Sequence, residues 1–413
     1  MEKRKVVITG MGVVAPNGIG IDDFWDSLVH GRSGIRKITH FDASSYPSQI
    51  AAEVPDFDPA DYMDSKTAKR LDRFAHFCLA SASMALQDAE IETPVKEPYR
   101  FGVFVGTAIG GGETSENQHL IFVEKGLRRI APFTVEAIST HSASALISQT
   151  FIIKGPNTTI SSGCNSGLDA CYLAYNTIRT GDADVMIVAA GEAPVTPYIV
   201  SVFSAVGVLS TRNGDPKTAV KPYDINASGM VLGEGGGAII IEELNHAINR
   251  GAKIYGEVLG YSSLTEAYMF GTKTDKEVMA NAFKVALDKS HLNLGDVDYI
   301  SPHGNGILEY DVGETESIKR AFGELAYEIP ISSIKPVTGQ SLSATGIYQV
   351  ITSLLAMKNA IIPPTINHKN PAPGCDLNYI PGHYLKKDVN IAITNAHGFG
   401  GRHTVLVVGK LNR

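Results

Sequence analysis

The chain has 413 residues, 44% of them hydrophobic and 19% charged, with a formal net charge of −7. This is globular composition, long enough for two core-forming halves, and it offers no global basic field for a nucleic-acid partner. The four cysteines, Cys78, Cys164, Cys171 and Cys375, show neither CxxC nor His-paired metal spacing, so no metal is expected. So few suit a reducing cytoplasm better than a disulfide scaffold, and no apolar run is long enough to span a membrane.

In chain order, "MEKRKVVITGMGVVAP" imitates a signal peptide, but its apolar run is short, β-branched and broken by Gly10 and Gly12. It predicts a first strand. Gly10, Gly12 and Ala15 match the dinucleotide fingerprint GxGxxA, yet Pro16, Asn17 and Gly18 do not open a helix, so a structural glycine turn is expected. "SKTAKRLDRF" spaces Lys66, Lys69, Arg70 and Arg73 at i, i+3, i+4 and i+7, one face of a predicted helix. Further strands are predicted at "FGVFVGTAIG", "NTTI", "DVMIVAAGEA" and "GAIIIEEL", then at "KIYGEVLGYSS", "DYISPHG", "NIAITNAHGFG" and "HTVLVVGKL". Runs nearly continuous in Val, Ile and Ala suit strands buried on both faces. Helical patterns alternate with them, which makes the fold α/β.

The order repeats. "NTTISSGCNSGLDACYLAYNTI" reads strand, turn, helix, and "IPISSIKPVTGQSLSATGIYQVITSLLAM" reads the same. Each is followed by two strands. The expectation is two pseudo-symmetric halves, residues 1–250 and 251–413, meeting near 245–257, with a site where strand ends converge.

After Cys164, Leu168, Cys171, Tyr175 and Ile178 form one apolar helical stripe, so Cys171 is core. Cys164 precedes the helix, between Gly163 and Gly167. There the helix dipole and free N–H groups favour a thiolate, lower the thiol pKa and could hold an oxyanion. A nucleophile and a buried structural Cys remain alternatives on local features. The second half offers polar groups beyond strand ends: His303, Asp311 and Glu314 in "SPHGNGILEYDVGETE", Lys335 and Gln340 in "SSIKPVTGQ", and His397 and His403 in "TNAHGFGGRH".

Taken together, these residues resemble a β-ketoacyl-acyl-carrier-protein synthase of the type II elongating class, in the condensing-enzyme, thiolase-fold superfamily. The resemblance runs nearly end to end, through "VVITGMGVVAPNG", "LSTRNGDP", "VLGEGGGAIIIEEL", "IPPTINHKNPAPGCDLNYIP" and "GFGG". It implies a five-layered αβαβα fold and a decarboxylative condensation. Cys164 would carry the acyl chain, and the N–H groups of Cys164 and His397 would form the oxyanion hole. His303 would stabilise the enolate, and Lys335 paired with Glu314 would order the site. The resemblance also implies no tightly bound cofactor, substrates carried on the phosphopantetheine of an acyl carrier protein, and a dimer. Ile109 would end the acyl pocket, and Phe399 would line the substrate site. Lys66, Lys69, Arg70, Arg128, Arg129 and Arg212 would dock the acidic carrier.

The sequence departs from that pattern around one pocket. The family's second histidine, in "KxxxGH", is Gln340, whose amide donates a hydrogen bond but cannot become cationic. Asn305 and Ile307 stand where threonines usually hold the phosphopantetheine arm. His397 takes the place of a gating Phe, and Arg402 and His403 replace Thr and Asn. One expectation is that the His397 imidazole points at Cys164 and replaces the missing histidine. Competing readings are a non-elongating acyltransferase and a chain-length-setting partner subunit, although such partners usually lack the cysteine. A thiolase would require a second catalytic cysteine, and Cys375 lies outside the glycine loops.

Overall fold

The structure is a computed structural model that describes residues 4–267 and 274–411. Nine strands carry the main sheet: β1 (Val6–Ala15), β2 (Phe101–Gly106), β3 (Asn157–Ile160), β4 (Val185–Glu192), β5 (Gly235–Glu243), β6 (Gly256–Thr265), β7 (Tyr299–Ser301), β8 (Ile391–Gly398) and β9 (Arg402–Gly409). Their order is β7-β8-β9-β6-β1-β5-β4-β2-β3, with the two-residue strand Gly18–Ile19 folded back on β1. The predicted strands fall on these nine, apart from one. "IPISS" makes only an isolated bridge, Ile331 to Ile300. Beyond it Ser333 N–H turns away to Thr365 Oγ1, and the ladder stops.

The repeat is visible in the pairing. In the first half β2 and β4 are parallel, and β4, β5 and β1 are successively antiparallel. In the second, β7 and β8 are parallel, and β8, β9 and β6 are antiparallel. The halves join at a short seam, where Val7 and Ile8 of β1 pair with Glu257 and Gly256 of β6.

Helices complete five layers. α1 (Arg73–Asp88) and α2 (Ser142–Phe151) cover the outer face of the first half. α3 (Ser166–Thr180) and α6 (Leu342–Asn359) fill the centre, and α4 (Lys276–Ser290) and α5 (Leu308–Phe322) cover the outer face of the second half. Leu168, Cys171, Tyr175 and Ile178 of α3 are buried in that centre, as the stripe predicts. Both faces of most strands are therefore covered, which is why they read as continuous apolar runs.

Gly10 and Gly12 lie inside β1 and not on a turn. A Cβ at Gly12 would fall 2.1 Å from Ser81 O, and one at Gly10 would fall 2.3 Å from Ala85 O, both on α1. The glycines let a helix backbone rest against the strand. The basic face predicted over Lys66–Arg73 is also broken. One short helix, Ser65–Ala68, ends there, and α1 starts afresh with Asp72 as its N-cap. Arg73 turns inward to Glu234, at 2.8 and 3.0 Å. All four cysteines are free and buried. No helix among the described residues is long and apolar enough to cross a membrane.

Candidate active site

Between β3 and α3 the chain makes a 3-10 turn, Gly163–Asn165, that presents Cys164 at the helix N-terminus. Gly163 holds a φ of +67°, open to glycine and costly for other residues. The Asn165 side chain reaches into the other half, donating to Ala396 O and Thr404 Oγ1 at 2.9 Å each. The nucleophile's turn is thereby tied to β8 and β9.

Cys164 is buried, and its Sγ accepts a hydrogen bond from the Gln340 amide at 3.4 Å. Burial pushes the Cys164 thiol up to about 11, while the Lys335 charge and the Gln340 hydrogen bond pull the other way. The lowered thiol pKa expected at a helix N-terminus is thus reversed, because removal from water outweighs the favourable charges. Around the sulfur lies an apolar cluster of Ile199, Val200, Met230, Leu232, Ile307 and Tyr310. Ile109 packs half-buried on the same cluster.

Polar groups from the second half close the other side. His303 is buried and its ring has two nitrogen neighbours: Asn305 Nδ2 is 3.2 Å from Nε2, and His397 N–H is 3.4 Å from Nδ1. The backbone His397 N–H makes Nδ1 the acceptor, which places the single proton of the neutral ring on Nε2; burial drives the pKa of His303 well below the usual range. Glu314 accepts four hydrogen bonds, from His303 N and Gly304 N at 2.7 and 2.9 Å, and from Asn395 Nδ2 and Tyr223 OH at 2.6 Å each. Lys335 Nζ donates to His303 O. Burial lowers the Lys335 pKa to about 8, with Glu314 acting in the opposite sense.

Several expected roles change in this geometry. Lys335 and Glu314 form no direct ion pair among the described residues. Both instead grip the His303 backbone, one at its carbonyl and one at its N–H. The His397 N–H lies 3.4 Å from His303 Nδ1. The His397 imidazole makes no hydrogen bond to Cys164 among the described residues; the sulfur's partner is Gln340. The His397 side chain is enclosed. It is 2% exposed, wedged between His303 (ring centroids 4.0 Å) and Tyr310 (4.6 Å). Phe399, two residues on, is 45% exposed. The Asn305 side chain is committed to the His303 ring and to Ile307 N–H at 3.1 Å, so it does not present itself to a phosphopantetheine arm.

Lys66, Lys69, Arg70, Arg128, Arg129 and Arg212 are all exposed, whereas Arg73 is not available. Sequence reasoning missed Tyr310, which joins the sulfur's cluster to the His397 ring, and Glu266, which holds His403 at 2.5 Å. Tyr310 stood in view beside "HGNGILEY". Glu266 had no local signal.

A buried cysteine on a helix-capping turn, faced by an amide, a histidine and a lysine from a second, repeated half, defines a condensing enzyme of the thiolase-like fold. The chain belongs to the beta-ketoacyl synthase family: residues 3–247 match its N-terminal domain and residues 255–369 its C-terminal domain. It is 40% identical to a putative polyketide beta-ketoacyl synthase 1 of Streptomyces halstedii, over 98% of each chain. It is also 40% identical to the 3-oxoacyl-[acyl-carrier-protein] synthase 2 of Coxiella burnetii, over 100% of each. Among solved structures, a type II polyketide ketosynthase, in complex with its acyl-carrier protein and bound to a hexaketide, superposes with a TM-score of 0.92. The identity is 33%, over 99% of this chain and 100% of that one. The ishigamide ketosynthase/chain length factor gives 0.93 at 29% identity, over 99% and 100%.

Proposed function

We propose that this chain is an elongating ketosynthase of a specialised lipid or polyketide pathway. Cys164 takes an acyl group from a carrier-protein thioester. Malonyl-carrier protein then loses CO₂, and the resulting enolate attacks the acyl carbon on Cys164. The observation that carries this reading is the Gln340 amide at 3.4 Å from the Cys164 sulfur, inside an apolar cluster able to house an acyl chain. An enolate requires N–H donors in a dry pocket, and Gln340 and His303 supply them once substrate displaces Asn305 from the His303 ring. Glu314 and Lys335 fix the His303 backbone and so its position. The changes at Gln340, Asn305, His397 and His403 support a specialised substrate.

Substrates arrive on the phosphopantetheine of the carrier protein, past Ile307, and the enzyme needs no tightly bound cofactor. The exposed Lys66, Lys69, Arg70, Arg128, Arg129 and Arg212 receive the acidic carrier, in keeping with the carrier complex of the solved relative. A second ketosynthase-like subunit, identical or a chain-length-setting partner as in the ishigamide relative, pairs with this one. Four free cysteines support a reducing, cytoplasmic setting.

The test is mass spectrometry of the protein with acyl- and malonyl-carrier protein, beside Cys164→Ala. Acyl-Cys164 followed by a β-ketoacyl product two carbons longer supports elongation. Acyl-Cys164 without malonyl decarboxylation makes the protein a non-elongating acyltransferase. No acylation of Cys164 overturns both.

A further inference from the structure

Three polar side chains lie across adjacent strands beside His303. His397 on β8 and His403 on β9 are directly opposed in the antiparallel ladder, so they share a face of the sheet, with ring centroids 5.9 Å apart. Glu266 follows β6, whose Leu264 pairs with His403. Glu266 Oε1 accepts from His403 Nε2 at 2.5 Å, and both side chains are 3–4% exposed. A carboxylate at Nε2 fixes the proton there and leaves His403 Nδ1 as an acceptor. That Nδ1 and the Nε2 of His397 are both buried and have no protein partner. Two buried ring nitrogens without a protein partner are the kind of groups that a buried water serves.

The proposed reaction gives this arrangement a task. In loading, the Cys164 S–H bond breaks, the C–S bond to the acyl group forms, and the released proton goes to the departing carrier thiolate. That step balances within the pocket. In condensation the malonyl C–C bond breaks and CO₂ leaves without a proton. The enolate's electron pair forms the new C–C bond, and the C–S bond to Cys164 breaks, leaving a thiolate. Return of the thiol consumes one proton per turnover from outside. Gln340 cannot carry it.

We propose that His403 takes up an outside proton at Nδ1 as an imidazolium paired with Glu266, and passes that Nδ1 proton through a bridging water to His397 Nε2, from which it goes through the pocket lined by His303 and Tyr310 to the Cys164 sulfur as the C–S bond breaks. His403 and His397 carry the proton; Glu266 is a positioning residue that holds the His403 ring and stabilises its charge. The other ionisable groups bearing on the three are His303, Tyr310, Lys335, Glu314 and Asp275. Burial keeps His397 neutral at rest, ready to accept. The inference rests on the condensation reading above.

The test follows loading and single-turnover condensation separately on the full-length protein, from pH 6 to 8. His403→Asn and Glu266→Gln should slow condensation at least about tenfold, within the range of general acid–base effects. The loss should grow with pH, and loading should stay within about twofold. His397→Phe should slow condensation at least as much and leave loading within about twofold. Equal losses in loading and condensation, or none in either, overturn the relay. If a variant fails to fold, a crystal structure of the unsubstituted protein decides: a water bonded to both His403 Nδ1 and His397 Nε2 supports the proposal, and no shared water overturns it. Absence of condensation by the unsubstituted protein overturns the condensation reading itself, which separates the two failures.

Discussion

The sulfur of Cys164 meets the amide of Gln340, and an amide differs from an imidazole in what it can offer. An amide donates a hydrogen bond at any pH and never holds a proton. Gln340→Ala should therefore lower condensation by roughly 10²–10³, the cost of one oxyanion donor, while slowing loading less. Kinetics of the two half-reactions check this; equal effects on both would mean that the amide serves only to place the thiol. Lys335 gives a second, purely thermodynamic prediction. Burial lowers its pKa to about 8, against about 10.4 in an unfolded chain. Between those values the unfolded state binds more protons, so stability rises with pH. Relative to Lys335→Met, the native protein should gain up to about 3 kcal/mol across that window, read by urea unfolding at several pH values. A pH-independent difference would show that the buried ammonium carries no such penalty.

At the scale of elements, the sequence is most legible where one element decides the pattern. Apolar runs mark the strands, and the stripe after Cys164 marks α3 and its buried Cys171. Errors arise where the deciding partner is far along the chain. Gly10 and Gly12 imitate a nucleotide turn, and only the seating of α1 on β1 reveals them as contact points. Gly12→Val should destabilise the protein by about 3 kcal/mol or more in urea unfolding, since its Cβ would meet the backbone of Ser81 and not a movable side chain. The basic face fails for a local reason: Asp72 caps a new helix, a signal that helical spacing alone overlooks. In the site, Cys164 and Gln340 were legible as a pair through the family pattern. The partnership of His397, His403 and Glu266 was not. It depends on the register of three strands, and a slip of one residue would turn each side chain to the opposite face.

For the molecule as a whole, the net charge of −7 leaves carrier recognition to a local patch. Replacing Lys66, Lys69 and Arg70 together by Glu should raise KM for acyl-carrier protein several-fold at low salt, with kcat nearly unchanged and the difference fading as salt rises. Unaltered KM would move docking elsewhere. Because these residues are exposed and Arg73 is paired inward, the triple variant should keep its melting temperature. The halves contribute unequally to the chemistry. The sulfur comes from the first, while Gln340, His303 and Lys335 come from the second.

That division has a consequence during synthesis. A ribosome completes the segment carrying Cys164 long before residue 340 has left the exit tunnel. Until then the sulfur stands on an uncovered surface of α3, whose central neighbour α6 does not yet exist. The nascent thiol has no wall of amide and imidazole around it and no closed chamber for an acyl tail. Full enclosure of the sulfur therefore waits for the segment that carries Gln340 and for the last strands to dock.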